Sequence, residues 1–183
     1  MNYELSIVIV DNGSRDISNL KTQISKLQVK TKNLKLIEKK KNLGFVGGNN
    51  VGIRYALKHG ADYVLILNND TLVHPDLMNH FIKAAMKNSE VGAISPKIYF
   101  AKGFEFHKEK YSKDELGRVI WYAGGVIDWN NMYGASRGVD EVDKGKYARG
   151  GETDFATGAC MFLSAKMLRD VGLFDEKYYL YYE

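Results

Sequence analysis

The chain has 183 residues, 45% of them hydrophobic and 26% charged, with two prolines and a formal net charge of +4. A chain of this length buries roughly 70% of the surface its unfolded form exposes, so a real core is expected, and a disordered, collagen-like or proline-rich chain is excluded. One cysteine, Cys160, allows neither an internal disulfide nor a Cys/His metal cluster, which points to a reducing compartment.

In chain order, Leu5 to Val10 is apolar and β-branched and predicts a strand buried on both faces. Asp11-Asn12-Gly13-Ser14 interrupts it with turn residues. Ile17, Leu20, Ile24 and Leu27 then form one helical stripe, with Asp16 as its cap. Leu34 to Glu38 predicts a second strand, and Glu38-Lys39-Lys40-Lys41 a solvated charge run. The Gly/Asn-rich segment from Asn42 to Asn50 leads into a helix over Val51 to His59, stopped by Gly60. Tyr63 to Leu67 is a third strand, ending at Asn68-Asn69-Asp70.

Pro75 suits the first position of a further helix whose packing face is Leu77, Met78, Phe81, Ile82 and Ala85. Val91 to Ile98 predicts another strand. From Phe100 to Gly151 no period is visible, and a segment that long predicts short strands or a functional lid rather than a bare loop. Phe155 to Leu163 is apolar, and Ser164 opens a short helix closed by Gly172. Alternating strands and helices predict an α/β fold with a largely parallel sheet, in which ligands bind beyond the carboxyl ends of the strands.

Two polar clusters stand at such ends, Asp11 to Ser14 and Asn68 to Asp70, and the Gly/Asn-rich stretch from Asn42 joins them. Asp11 offers a carboxylate to a base N–H or a ribose hydroxyl, or else closes an Asx turn. The three glycines between Asn42 and Asn50 let backbone approach a phosphate at a helix start, or else make a tight turn. Asn68, Asn69 and Asp70 could hold Mg²⁺ or Mn²⁺ with a ligand diphosphate, or else form a turn before Pro75. Cys160 is expected as a buried small hydrophobe, and His59, His74, His80 and His107 lack metal-ligand spacing. No stretch reaches the ~18–20 apolar residues of a membrane span and none resembles a signal peptide, so a soluble, cytoplasmic protein is expected, with contact at the inner face of a membrane left open. No basic and aromatic pattern suggests nucleic acid as a partner.

The ordered segments IVIVDNGSRD, NLGFVGGNNVGI, YVLILNNDT, IWYAGGVIDW, TDFATGACMFLSAKML and GLFDEKYYLYYE resemble the family 2 glycosyltransferases with a GT-A fold, most closely the rhamnosyltransferase-type enzymes of surface polysaccharide assembly. The resemblance implies one domain over residues 1–183, with a nucleotide-sugar-binding half at 1–99 and an acceptor-side half at 100–183. It implies that Asp11, with Asn12, Gly13 and Ser14, contacts the nucleotide of a UDP- or dTDP-linked sugar, and that Gly44, Phe45 and Asn49 line its pocket. Asp70 matches the last acid of the family's metal motif and would hold Mg²⁺ or Mn²⁺, with Asn68 and Asn69 contacting the nucleotide sugar, although Asn68 stands where many members carry an acid. Thr157, Gly158 and Ala159 would sit near the sugar and a saccharide or lipid-linked acceptor. The chemistry implied is an inverting single displacement.

Two departures from the family pattern carry expectations of their own. The usual first strand and helix precede the segment matching Leu5 to Asp16. The usual catalytic Glu-Asp pair is matched here only by Glu183. The expectation is a chain trimmed at both ends, with weak or no transfer by itself. The alternatives are a non-catalytic nucleotide- or sugar-binding module and a nucleotidyltransferase. The second is opposed by DNGSRD, where a glycine-rich basic loop would be expected.

Overall fold

The computed structural model describes residues 2–28, 31 and 33–179, so Glu183 lies outside the described residues. Nine strands and four helices are found among them: β1 (Ile7–Asp11), α1 (Ser18–Gln28), β2 (Leu34–Glu38), α2 (Gly44–Lys58), β3 (Tyr63–Leu67), α3 (Leu77–Lys87), β4 (Ala93–Ile94), β5 (Ile98–Tyr99), β6 (Ile120–Tyr122), β7 (Gly125–Asp128), β8 (Tyr133–Ser136), β9 (Cys160–Ser164) and α4 (Ala165–Asp170). The α/β class is as expected. The chain packs as two compact units, divided within β3 and β9: one runs up to Val64 and resumes at Ser164, the other is Leu65–Leu163. This packing division is distinct from the functional division expected between residues 99 and 100.

In the first unit, β1 and β2 pair in parallel, with Ile7 opposite Leu34 and Asp11 opposite Glu38. β1 is not buried on both faces as predicted: Ile7 is 40% exposed, and Val8, Ile9 and Val10 are half-buried. α1 keeps its predicted stripe in part. Ile24 is buried, whereas Leu27 is exposed. Asp16 caps it, its Oδ1 accepting bonds from the Ser18 amide at 2.8 Å and the Ser18 hydroxyl at 2.5 Å, and these bonds hold its carboxyl below the usual range. The charge run is largely at the surface, with Lys40 and Lys41 exposed and Glu38 paired to Lys21 at 2.7 Å.

α2 begins at Gly44 and not at Val51, so most of the Gly/Asn-rich segment is helix rather than loop. Glycine is a poor helix former, but here close packing outweighs propensity. A Cβ on Gly48 would stand 2.9 Å from Asn12 Nδ2, and one on Gly52 would stand 3.4 Å from Val10 Cγ2. The small face thus lets α2 lie against β1 and the loop after it, while Val46 and Ile53 are fully buried.

In the second unit, the predicted face of α3 meets β9. Phe81, Ala85, Cys160 and Phe162 are buried together, flanked by Leu65, Leu77, Met78, Ile82, Ile94 and Ile98. The Phe81 and Phe162 rings stack at 4.9 Å. α3 starts at Leu77, with Asp76 at the N-cap position and Pro75 before it rather than inside it. The strand predicted over Val91 to Ile98 is split into β4 and β5, with Pro96 between them, a residue with no amide to give to a ladder. β4 pairs antiparallel with β9, β5 with β6, and β7 with β8. The predicted short strands after Phe100 are therefore present as β6, β7 and β8. Burial pushes the Cys160 thiol up to about 11, so it remains a protonated, apolar core group, as expected.

Candidate functional site

The loop after β1 is built largely from backbone and amide groups. Asp11 is 6% exposed, and one of its oxygens accepts a long bond from the Ser14 amide at 3.4 Å. Gly13 adopts φ +84°, and a Cβ there would stand 2.6 Å from the Lys41 carbonyl carbon, so the turn and the chain before α2 touch directly. Asn12 spends its whole side chain on that neighbour. Its Nδ2 donates to Gly44 O at 2.8 Å and Asn42 Oδ1 at 3.1 Å, and its Oδ1 accepts from Leu43 N at 2.9 Å. Asn12 therefore shapes the loop. Ser14 is exposed.

The first turn of α2 is satisfied from within the chain. Gly44 N donates to Asn42 Oδ1 at 2.9 Å and Phe45 N to Tyr179 O at 3.0 Å. The phosphate-cradling backbone expected of the glycines is thus occupied by protein acceptors at these two amides. Asn49 bonds back to Phe45 O at 2.9 Å, and Gly44, Phe45 and Asn49 lie along one stretch of the helix. The sequence reading missed Asn50, which is fully buried and bonded to Phe174 and Glu176. Apolar periodicity does not mark a buried amide.

In the other unit, the turn after β3 and the loop before β9 meet. Asn68 N donates to Ala159 O at 3.0 Å, and Thr71 Oγ1 donates to Asn68 O at 2.7 Å. Thr157 organises its own loop: its carbonyl accepts from Cys160 N at 3.3 Å and its hydroxyl from Ala159 N at 3.3 Å. Gly158 lies between them, half-buried. Asn68 is half-buried, while Asn69 and Asp70 are exposed. The Asp70 carboxylate forms no hydrogen bond or ion pair among the described residues.

Residues upstream fix the Thr157 loop in a way the sequence reading did not assign. Thr153 Oγ1 accepts from Gly125 N at 2.6 Å, Tyr122 OH donates to Phe155 O at 2.6 Å, and Asp154 Oδ2 accepts from Ile127 N at 2.9 Å. Gly125 leaves room for the Phe155 ring, which a Cβ would meet at 2.3 Å. The segments IWYAGGVIDW and TDFATGA thus form one interlocked piece.

No group of three or more His, Cys, Asp or Glu side chains able to hold a metal exists among the described residues. A cation held by protein alone does not fit here. A Mg²⁺ or Mn²⁺ held by the Asp70 carboxylate, ligand diphosphate oxygens and water does fit this donor set.

Residues 1–172 match the family profile described as Glycosyl transferase family 2. The low-salt glycan biosynthesis hexosyltransferase Agl10 of Haloferax volcanii is 26% identical over 198 residues, an alignment covering 98% of this chain. The same alignment covers 59% of the relative, so this chain spans less than two thirds of that protein's length.

Proposed function

The chain belongs to glycosyl transferase family 2, and from that membership we propose that it binds a nucleoside-diphosphate sugar and serves transfer of the sugar to a saccharide or lipid-linked acceptor. What carries the reading is that the match over residues 1–172 takes in the Asp11, Asp70 and Thr157 loops, and that the Asn68–Ala159 bond holds two of these loops together beside a carboxylate with no partner among the described residues. UDP or dTDP is the proposed nucleotide and a hexose, rhamnose among the candidates, the proposed sugar. That the Haloferax relative is a hexosyltransferase supports the hexose.

The roles follow from each group's chemistry. Asp11, held at the end of β1 and bonded weakly by Ser14, has acceptor capacity left for a base N–H or a ribose hydroxyl. Gly13 and Asn12 keep that carboxylate in place through the chain before α2. Phe45, whose ring leans on Phe174 at 6.4 Å, would line the pocket at the helix start. Asp70 would hold Mg²⁺ or Mn²⁺, and the ion, when bound, would neutralise charge on the departing diphosphate. Thr157, Gly158 and Ala159, clamped through Thr153 and Tyr122, would face the sugar and acceptor. Residues 1–99 then serve the nucleotide sugar and residues 100–183 the acceptor. Inversion at the anomeric carbon, with a carboxylate taking the acceptor proton, completes the proposal. No helix among the described residues is long and apolar enough to cross a membrane, and a lipid-linked acceptor would be met at the cytoplasmic face.

The test is to incubate the chain with UDP- or dTDP-hexoses, Mn²⁺ or Mg²⁺ and a saccharide acceptor, and to follow both nucleotide release and nucleotide binding. Metal-dependent release with transfer supports the full proposal. Binding without release reduces it to a binding module. The absence of both binding and release contradicts it.

A further inference from the structure

Asn50 is 0% exposed within α2, yet its carboxamide serves a segment 124 residues away. Its Nδ2 donates to Phe174 O at 2.9 Å and reaches Glu176 Oε1 at 3.3 Å, while its Oδ1 accepts from Phe174 N at 3.2 Å. One side chain thus reads both backbone groups of Phe174, as a neighbouring strand would. Arg54, one turn further along α2, donates to the same Glu176 oxygen at 2.6 Å.

The segment that follows crosses the start of the helix. Tyr179 O accepts from Phe45 N at 3.0 Å. Its ring and carbonyl fill the space over Gly44, where a Cβ would meet them at 2.6 and 2.7 Å. Residues 174–179 are therefore a strap along α2, pinned at one end by Asn50 and Arg54 and at the other by Gly44 and Phe45. The same first turn is gripped by Asn12 at Leu43 N and Gly44 O. A buried amide with all its bonds made specifies one placement of its partner more sharply than an apolar side chain does.

We infer that Asn50 is a positioning residue: through the 174–179 strap it fixes the first turn of α2 and, by way of Asn12, holds the Asp11–Ser14 loop in the form that receives the nucleotide. The inference rests on reading that loop as nucleotide-binding. Asn50→Asp keeps the shape, removes the donor to Phe174 O and sets a charge against Glu176. Gly44→Ala, strained in its own right at φ +72°, dislodges Tyr179 from the opposite end, and Arg54→Gln weakens the hold at the surface. Adding Glu176→Gln to Asn50→Asp restores a donor to the carboxylate and removes the repulsion.

The experiment measures amide hydrogen exchange at Leu43, Phe45 and Phe174 alongside UDP affinity in the presence of Mg²⁺. Exchange at Leu43 and Phe45 is expected to rise about tenfold in Asn50→Asp and in Gly44→Ala. UDP should bind about tenfold more weakly in both, with partial recovery in the Asn50→Asp, Glu176→Gln pair. Protection unchanged at Phe45 overturns the inference, as does an opened strap with unchanged UDP affinity. If Asn50→Asp does not fold, Arg54→Gln, which leaves the helix start untouched, decides the matter by the same readouts. A wild-type chain that ignores UDP refutes the nucleotide reading of the loop, and exchange at Leu43 and Phe45 then decides separately whether the strap holds the turn.

Discussion

Asp143 accepts hydrogen bonds at Oδ2 from Lys97 Nζ and from Tyr99 OH, each at 2.5 Å, and at Oδ1 from Gly145 N at 2.9 Å. Lys97 foremost, then Tyr99 and the Gly145 amide, hold its carboxyl far below the usual carboxylate range. A group with a depressed folded pKa stabilises fully above its ordinary value of 3.8, and that stabilisation is lost as pH falls through the folded pKa. Asp143→Asn should therefore melt at a lower temperature than wild type at neutral pH. The gap should narrow on acidification below about pH 4, which thermal unfolding across pH would show. Two glycines of one hairpin give a second comparison at this scale. Gly125→Ala would drive a Cβ into the Phe155 ring at 2.3 Å, whereas Gly134→Ala meets the same ring at an ordinary 3.6 Å. Denaturant unfolding should show a loss of about 1–3 kcal/mol for the first. The second should stay within about 0.5 kcal/mol of wild type.

Between elements, the contact of α3 with β9 carries much of the second unit's core. Phe81→Ala should cost about 3–5 kcal/mol, and a double-mutant cycle with Phe162 should show coupling of about 0.5–1.5 kcal/mol from the stacked rings. Ser164 Oγ accepts from Met167 N at 3.1 Å at the start of α4, so Ser164→Ala should cost about 1 kcal/mol. These elements were readable in advance because periodicity or cap chemistry marks them: β2 and β3 have their predicted limits, and the face of α3 is the predicted one. The rest depended on contacts distant in the chain. Glycines 44, 47 and 48 signal a loop by propensity, but Tyr179 over Gly44, Leu43 beside Gly47 and Asn12 against Gly48 make their lack of side chains an asset to α2. Pro96 was present within an apolar run, and its missing amide divides what hydropathy alone reads as one strand. Asn50 and its strap had no local mark, since their partners are 124 residues apart.

Across the molecule, Asp11 falls in one packing unit and Asp70 in the other, while the family match spans both. The motif order along the sequence was the most legible functional signal, since it needs no geometry. The geometry of each loop adds which side chains are already spent, such as Asn12, and which form no bond among the described residues, such as the Asp70 carboxylate. A ligand that binds only the folded chain stabilises it by mass action, about 2.7 kcal/mol at a hundred times its dissociation constant. Thermal unfolding with UDP or dTDP, with and without Mg²⁺ or Mn²⁺, compared between wild type and Asp70→Ala, therefore probes the proposed function where it is most exposed. The wild-type chain should gain a metal-dependent stabilisation that Asp70→Ala lacks. Equal responses from the two, or no response of the wild type to either nucleotide with metal, would contradict the assignment.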